Sequence, residues 1–350
     1  MRARKYDALH VRQGGPKFRG AIIMVNDSAA PSYRVQPLDP QGFSTHRINR
    51  LHHDFNHHPL FQLPELARLA KELMPLEKCR FIKPGMTQAS AFRHDARHPD
   101  GRDIDDVFER IEETGSWIAL YNVEAIPRYR ALLEAIIDGV RATIEREQPG
   151  IFNVTGFIFI SAPPSVTPFH IDRENNFWLQ LHGRKVLSVW EPSDRDAVTA
   201  AHVEDFIVSH TLREVRLKES SRVSSHEFDS GPGDGVYFPT TSPHMTRTTT
   251  DWATPGDGVS VSIGVTFYTR HTVHLARVHQ FNRVCRKYLH VTPAYPGVSP
   301  LRDAMKAPLG LVLAIGRQWT LRALTCWQGL KAHKRPEEGW LGEKAPPGSY

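Results

Sequence analysis

Read for its alternation of apolar and polar positions, the middle of the chain is a series of short strands. Asn176-Phe-Trp-Leu-Gln-Leu181 alternates with period two, so Asn176, Trp178 and Gln180 share one face and Phe177, Leu179 and Leu181 the other. Gly183 marks a turn. Lys185-Val-Leu-Ser-Val-Trp190 then reads as the returning arm of a β-hairpin, with Lys185, Leu187 and Val189 on a common face. A further strand is read in Val236-Tyr-Phe238. The turn residues Gly233, Asp234 and Gly235 open it, and Pro239, which has no N–H to give a ladder, closes it. Across 151–270 strands alternate with turns rather than with helices, which predicts a barrel or a double-sheet jelly roll.

Helical periodicity flanks this core. Leu66, Leu69, Ala70 and Leu73 form one stripe of a helix that begins at Pro64 and ends at Pro75. Helices are expected also over 104–113, closed by Gly115, and over 128–145. After the core, Val273, Arg277, Val278, Phe281, Val284, Cys285 and Tyr288 fall near one stripe of a helix over 271–289, and another helix follows Pro308 over 309–330. Arg317 and Arg322 interrupt the apolar run at 307–327, which falls short of the ~20 uncharged residues of a membrane span, so a buried or interfacial helix is expected there. Residues 194–230 read as a charged insertion, a lid or substrate-binding segment. The expected fold class is mainly β with α additions. Residues 1–30 are a flexible basic start, 31–270 the β-rich domain with an α/β first part, 271–335 a helical extension, and 336–350 a flexible tail rich in proline, glycine and charge.

Composition narrows the classes. The chain has 350 residues, room for one large core with an appendage. Its +6 formal charge comes from 44 basic and 38 acidic residues that are scattered, and no nucleic-acid-binding motif is present, so no nucleic-acid partner is expected. The three cysteines, Cys79, Cys285 and Cys326, lie far apart and give no disulfide framework, which suits a reducing compartment. With no apolar stretch near the start long enough for a signal peptide, the expected location is cytoplasmic.

Candidate chemistry lies in two segments. Thr167-Pro-Phe-His170-Ile-Asp172 puts a histidine and a carboxylate two residues apart, on one side of extended backbone, and Pro239-Thr-Thr-Ser-Pro-His244 supplies a second histidine. Two histidines and one carboxylate form the facial set that holds Fe(II) and leaves positions open. The plainer alternative is a core histidine and a turn aspartate. Lys185 in an apolar strand calls for an anionic partner if it points inward, the alternative being an edge lysine in water. Trp178, Trp190 and Tyr237 are candidates for an aromatic mouth. The His52–His58 cluster matches no zinc spacing and reads as a solvated loop. Ser242 lies in no nucleophile elbow.

These residues resemble a family. Thr167-Pro-x-His170-x-Asp172, Asn176-Phe-aromatic-x-Gln180, Gly183-x-Lys185 and Gly233-Asp-x-Val-Tyr-x-Pro239 with His244 resemble the JmjC/cupin-like 2-oxoglutarate oxygenases, in particular the asparaginyl hydroxylases that act on hypoxia-inducible factor. The resemblance spans roughly 115–270. It implies a double-stranded β-helix with His170, Asp172 and His244 as Fe(II) ligands. Lys185, Thr167 and Tyr121 would contact the distal carboxylate of the cosubstrate 2-oxoglutarate, and Asn176 would be a polar group near the metal. Gly264 stands where the family member has an asparagine. The implied reaction hydroxylates a peptide or protein side chain or a small molecule and releases succinate and carbon dioxide. C-terminal helices of this kind imply a homodimer. Two other readings stay open: a cupin-type metalloenzyme that does not use 2-oxoglutarate, and a JmjC-like binding or regulatory module without turnover.

Overall fold

The computed structural model describes residues 33–82, 86–91, 95–248 and 258–329, the side chains of 323–329 excepted, so the two expected flexible ends lie outside the described residues. In chain order the elements are β1 (Val35–Pro37), β2 (Asn49–His53), α1 (Leu63–Leu73), β3 (Cys79–Phe81), α2 (Ile104–Glu109), β4 (Trp117–Leu120), α3 (Pro127–Asp138), α4 (Arg141–Glu147), β5 (Phe152–Ser161), β6 (Ser165–His170), β7 (Asn175–His182), β8 (Lys185–Val189), α5 (Ala200–Ser209), β9 (His226–Ser230), β10 (Asp234–Phe238), β11 (His244–Thr248), β12 (Ser260–Tyr268), α6 (Arg270–Tyr288) and α7 (Pro300–Gly329). They build two antiparallel sheets. The larger has eight strands in the order β1-β2-β10-β7-β12-β5-β4-β3, and the smaller has four in the order β6-β11-β8-β9. This is the double-sheet jelly roll that the strand-and-turn pattern predicts, the double-stranded β-helix that the resemblance implies.

Side-chain parity decides what each face holds. On β7, Phe177, Leu179 and Leu181 join Ile158, Ile160, Val261, Ile263, Val265 and Phe267 in the outer core, under the buried faces of α1 and α3. Each fully buried Leu, Ile or Phe there contributes roughly 1.5–3 kcal/mol relative to exposure. A one-residue slip of β7 would turn all three toward the inner channel, so the register is strongly specified. Trp178 has the opposite parity. With Val236 and Phe238 it meets Leu187, Val189 and Phe228 of the smaller sheet, which is where the two inner faces touch. On the far side of the smaller sheet, α5 lays Val203, Phe206 and Ile207 against Phe169, Ile171, Trp190 and Met245.

Several elements depart from the sequence expectation. β7 and β8 do not pair with each other: β7 lies between β10 and β12, and β8 between β11 and β9. The turn through Gly183, at φ 60°, is a corner that carries the chain from one sheet to the other. The 128–145 helix is two, because Gly139 passes so close to β1 that a Cβ would collide with the Val35 carbonyl. The 194–230 segment is no loose lid, since α5 seals a core and β9 is an integral strand. The buried side of α6 is more polar than the predicted stripe: Thr272, His279, Gln280 and Asn282 are buried with Val278 and Cys285, whereas Tyr288 is exposed. The last helix starts at Pro300, not after Pro308, which it carries inside. No helix among the described residues is long and apolar enough to cross a membrane.

Gly310 sets how α7 sits on α6. A Cβ there would collide with the Arg277 carbonyl oxygen and carbon. Gly310→Ala is therefore expected to destabilise the protein by roughly 1–3 kcal/mol, read as a lower unfolding midpoint in chemical denaturation.

Candidate metal centre

His170 closes β6 and His244 opens β11, and the two pair directly across the antiparallel ladder. Farther along, Thr246 opposes Thr167, so two residues of β6, Pro168 and Phe169, face one of β11, Met245. The extra residue is a β-bulge at Pro168-Phe169. Pro168 has no N–H, and the Phe169 N–H donates outside the ladder to the Gln88 carbonyl at 2.9 Å. Without the bulge Thr167 and His170 would point to opposite faces. With it, both turn into the channel between the sheets. Asp172 lies just past the strand. Its carbonyl accepts the Thr241 N–H at 2.9 Å, which ties the Asp172 turn to the loop leading into His244.

One ligand atom from each of His170, Asp172 and His244 lies within 4.8 Å of the other two, the only such group of three or more metal-binding side chains among the described residues. The imidazole rings are 4.0 Å apart at their centroids. The Nδ1–H of His170 donates to the Pro168 carbonyl at 2.7 Å, and that of His244 to the Ser242 carbonyl at 3.0 Å. These bonds fix the tautomer and direct each Nε2 lone pair away from the backbone. The Nε2 of His244 then faces Asp172 Oδ2 at 3.4 Å, two acceptors that need a cation between them. Burial drives both imidazoles down to about 4, so they are neutral ligands at neutral pH, and pushes the Asp172 carboxyl up. A divalent ion reverses that last effect by holding the carboxylate ionised. Two imidazole nitrogens and one carboxylate oxygen suit Fe(II), and the residues present fit it.

Asn176 steadies the set. Its Nδ2 donates to Asp172 Oδ2 at 3.1 Å. Gly264 lies beside it on β12, and a Cβ there would meet Asn176 Oδ1 at 3.6 Å, ordinary contact, so the glycine leaves room beside the asparagine rather than relieving a clash. Asn176→Ala is expected to weaken Fe(II) or Co(II) binding about 10- to 100-fold, checked by metal titration.

Lys185 lies deeper in the same channel. It is 2% exposed, and its Nζ approaches Ser262 Oγ of the larger sheet at 3.4 Å. No carboxylate pairs with it among the described residues, and burial pulls its ammonium down to about 7. The expected inward lysine is therefore found, and the edge-strand alternative fails. Register gives the spacing: Val189 of β8 lies opposite His244, four residues from Lys185. Four residues of strand are about 13 Å, a distance that a lysine side chain and a five-carbon diacid can bridge together. Thr167 and Thr246 line the wall between, both 6% exposed.

Tyr121 follows β4, half-buried, with its ring 5.1 Å from that of Phe157, and belongs to a cluster with Trp117, Ala119 and Phe159. Two of the three aromatic mouth candidates are not at a mouth. Trp190 is fully buried under α5 and donates to the Ser221 carbonyl, and Tyr237 is fully buried in the outer core with its hydroxyl on the Thr45 carbonyl. Their strand parity points them out of the channel, and only Trp178 faces inward. The His52–His58 cluster gathers no metal set, since His53 turns into the core and His58 caps a short helical turn. Sequence reasoning missed Ser262 and Thr246. The alternation of small polar residues in Ser260-Val-Ser-Ile and His244-Met-Thr marks both as inward-facing.

No protein-family model matches the chain, and no curated protein matches it. Among solved structures it is similar to YcfD of Escherichia coli, at 16% identity and a TM-score of 0.43, over 81% of this chain and 68% of that one. YcfD described as a ribosomal oxygenase in complex with cobalt and 2-oxoglutarate matches at 18% identity and a TM-score of 0.40, over 77% of this chain and 63% of that one. SnoK, a non-heme α-ketoglutarate-dependent carbocyclase from nogalamycin biosynthesis, matches at 15% identity and a TM-score of 0.36, over 64% and 80%. The case for the site rests on its own geometry.

Proposed function

We propose that this protein is an Fe(II)- and 2-oxoglutarate-dependent oxygenase that hydroxylates a protein side chain or a small metabolite. The observation that carries this reading is Lys185, a buried lysine with no carboxylate partner among the described residues, in the same channel as the His170, Asp172 and His244 set. Burying a charged ammonium without an anion is costly, and a dicarboxylate reaching from the metal to Lys185 removes that cost. In this reading His170, Asp172 and His244 hold Fe(II), and Asn176 orients Asp172. Lys185 binds the distal carboxylate, and Thr167 and Tyr121 are assigned the supporting contacts that the family resemblance implies. When bound, Fe(II) and 2-oxoglutarate would supply, with dioxygen as oxidant, hydroxylation of a C–H bond coupled to oxidative decarboxylation of the cosubstrate to succinate and carbon dioxide, one oxygen atom going to each oxidised product. The chain's own part is to hold, orient and exclude water.

Anaerobic titration tests this. One Fe(II) or Co(II) per chain is expected, followed by 2-oxoglutarate binding that depends on Lys185. Metal binding with no affinity for 2-oxoglutarate would favour a cupin-type metalloenzyme instead.

Two features extend the reading. Cys79 and Cys285 are buried free thiols, consistent with a reducing compartment such as the cytoplasm. Leu301, Met305, Leu309, Val312, Ile315 and Trp319 repeat every three or four residues on α7, and all are exposed, Leu301 at 74% and Trp319 at 67%. We assign this stripe to pairing of two copies. Val312→Glu with Ile315→Glu is expected to convert a dimer to a monomer in analytical ultracentrifugation. A wild-type monomer at tens of micromolar would refute the assignment.

A further inference from the structure

Behind the metal-ligand loops lies a second cavity of about 370 Å³. One wall is Pro239, Thr240 and Thr241, which run into His244, together with Arg173, next in the chain to Asp172. The other wall is α6, through His271, Leu275, Ala276 and His279, and the turn Tyr295-Pro296-Gly297-Val298. None of the three metal ligands lines it.

Polar groups gather at one part of its wall. His279 is 3% exposed, and its Nδ1 has no hydrogen-bond partner. Its ring packs edge-on at 5.2 Å against that of Tyr295, whose hydroxyl is buried beside Thr241 and makes no hydrogen bond of good geometry. The Arg195 guanidinium, which is not among the lining residues, stacks on the Tyr295 ring at 4.0 Å; two of its nitrogens donate to the Ser193 and Pro192 carbonyls, and the third is buried without a partner. Buried polar atoms left without partners are rare enough in folded proteins that each calls for an explanation. The Tyr295 hydroxyl and the His279 imidazole, both on the wall, can donate, so the matching ligand is an acceptor, and the Arg195 charge against the Tyr295 ring favours a carboxylate. The apolar part of the lining is Pro192, Ile207, Val273, Leu275, Ala276 and Val298, and the one carboxylate on the wall, Glu191, is 44% exposed and lies 3.4 Å from His226.

The shared wall is also strained. Thr241 is a β-branched residue at φ 62°, a conformation such residues rarely adopt. It is held there by its N–H bond to the Asp172 carbonyl, while the Thr240 hydroxyl donates to the Arg173 carbonyl at 2.8 Å. Thr240 and Thr241, which line the cavity, thus belong to the segment that is tied to the Asp172 turn and runs into His244.

We propose that this cavity binds an organic acid with an apolar body, its carboxylate on Tyr295 and His279 with the Arg195 charge close by against the Tyr295 ring, and that its occupancy is felt at the metal centre through Thr241. The binding claim stands apart from the oxygenase reading; the coupling claim rests on the metal set.

Phenylacetate is the probe, used on the full chain. In saturation-transfer NMR on metal-free protein, it is expected to bind. Tyr295→Phe and Arg195→Gln are each expected to weaken binding about tenfold, while 2-oxoglutarate leaves it in place. In protein loaded with Co(II) and saturated with 2-oxoglutarate, the same titration is expected to shift the visible Co(II) spectrum saturably, and less so in Tyr295→Phe. No binding, binding indifferent to both substitutions, or displacement by 2-oxoglutarate would overturn the site. Binding with an unchanged Co(II) spectrum would overturn the coupling. Failure to take up Co(II) at all, with phenylacetate still bound, would refute the metal reading and leave the cavity assignment standing.

Discussion

Asp172→Ala is expected to yield a folded protein that binds no Fe(II) and forms no succinate. Asp172 supplies the only carboxylate in the set, and its neighbours His170 and His244 are held neutral by burial. Without it the site keeps two uncharged nitrogen donors and no charge to offset the dehydration of a divalent ion. The loss in succinate formation is expected to be on the order of a thousandfold or more, because the metal's contribution to the reaction is several kcal/mol. Folding is not expected to suffer. Burial already disfavours the Asp172 carboxylate in the metal-free protein, so removing it removes a desolvation cost. Metal content by elemental analysis, with a thermal melt on the same sample, separates loss of the site from loss of the fold. Retained Fe(II) at one per chain would show that the ligand set is misassigned.

Lys185→Met is expected to move stability and cosubstrate binding in opposite directions. In the unfolded chain this lysine stays protonated to near 10.5, but in the folded, ligand-free protein burial lowers it to about 7. Between those values the unfolded chain holds more protons, so the stability of the ligand-free protein rises with pH across that window. At pH 7 and below the penalty of the buried ammonium is nearly complete. Methionine fills similar volume without a charge, so the variant is expected to be more stable at pH 7 by roughly 2–5 kcal/mol. The same change removes the ammonium that meets the distal carboxylate. Affinity for 2-oxoglutarate is expected to fall roughly 10- to 100-fold. In the wild type that affinity weakens as pH rises above about 7, where the free lysine loses its proton. Thermal melts across pH with calorimetry of 2-oxoglutarate binding check both halves. A variant that is less stable and binds the cosubstrate normally would place Lys185 in an ordinary structural role.

Much of this site was legible in the sequence because strand parity is simple. His170 with Asp172, the two faces of β7, and the common face of Lys185, Leu187 and Val189 all follow from period two, and all three hold in the structure. What parity cannot give is which strands pair. Two strands joined by a short Gly183 turn look like a hairpin whether they stay in one sheet or cross to the other, so the β7–β8 corner was misread. It cannot show a bulge either. The extra residue at Pro168-Phe169 that turns Thr167 and His170 to the same side depends on a contact with Gln88, far earlier in the chain. Trp190 and Tyr237 show the remaining limit. An aromatic residue near a site in sequence lies inside or outside according to what covers the sheet, and here α5 and the outer core claim them. The polar buried side of α6 was hidden for a related reason, since its partners are Thr269, Tyr295 and the cavity rather than an apolar layer.

The most direct test of the central claim is succinate release by the purified full-length protein given Fe(II), ascorbate, oxygen and 2-oxoglutarate. Succinate is expected to form slowly even without a substrate, to be absent in Asp172→Ala and to fall sharply in Lys185→Met at subsaturating 2-oxoglutarate. Succinate formed equally by all three proteins, or by none of them with Fe(II) and 2-oxoglutarate both bound to the wild type, would contradict it.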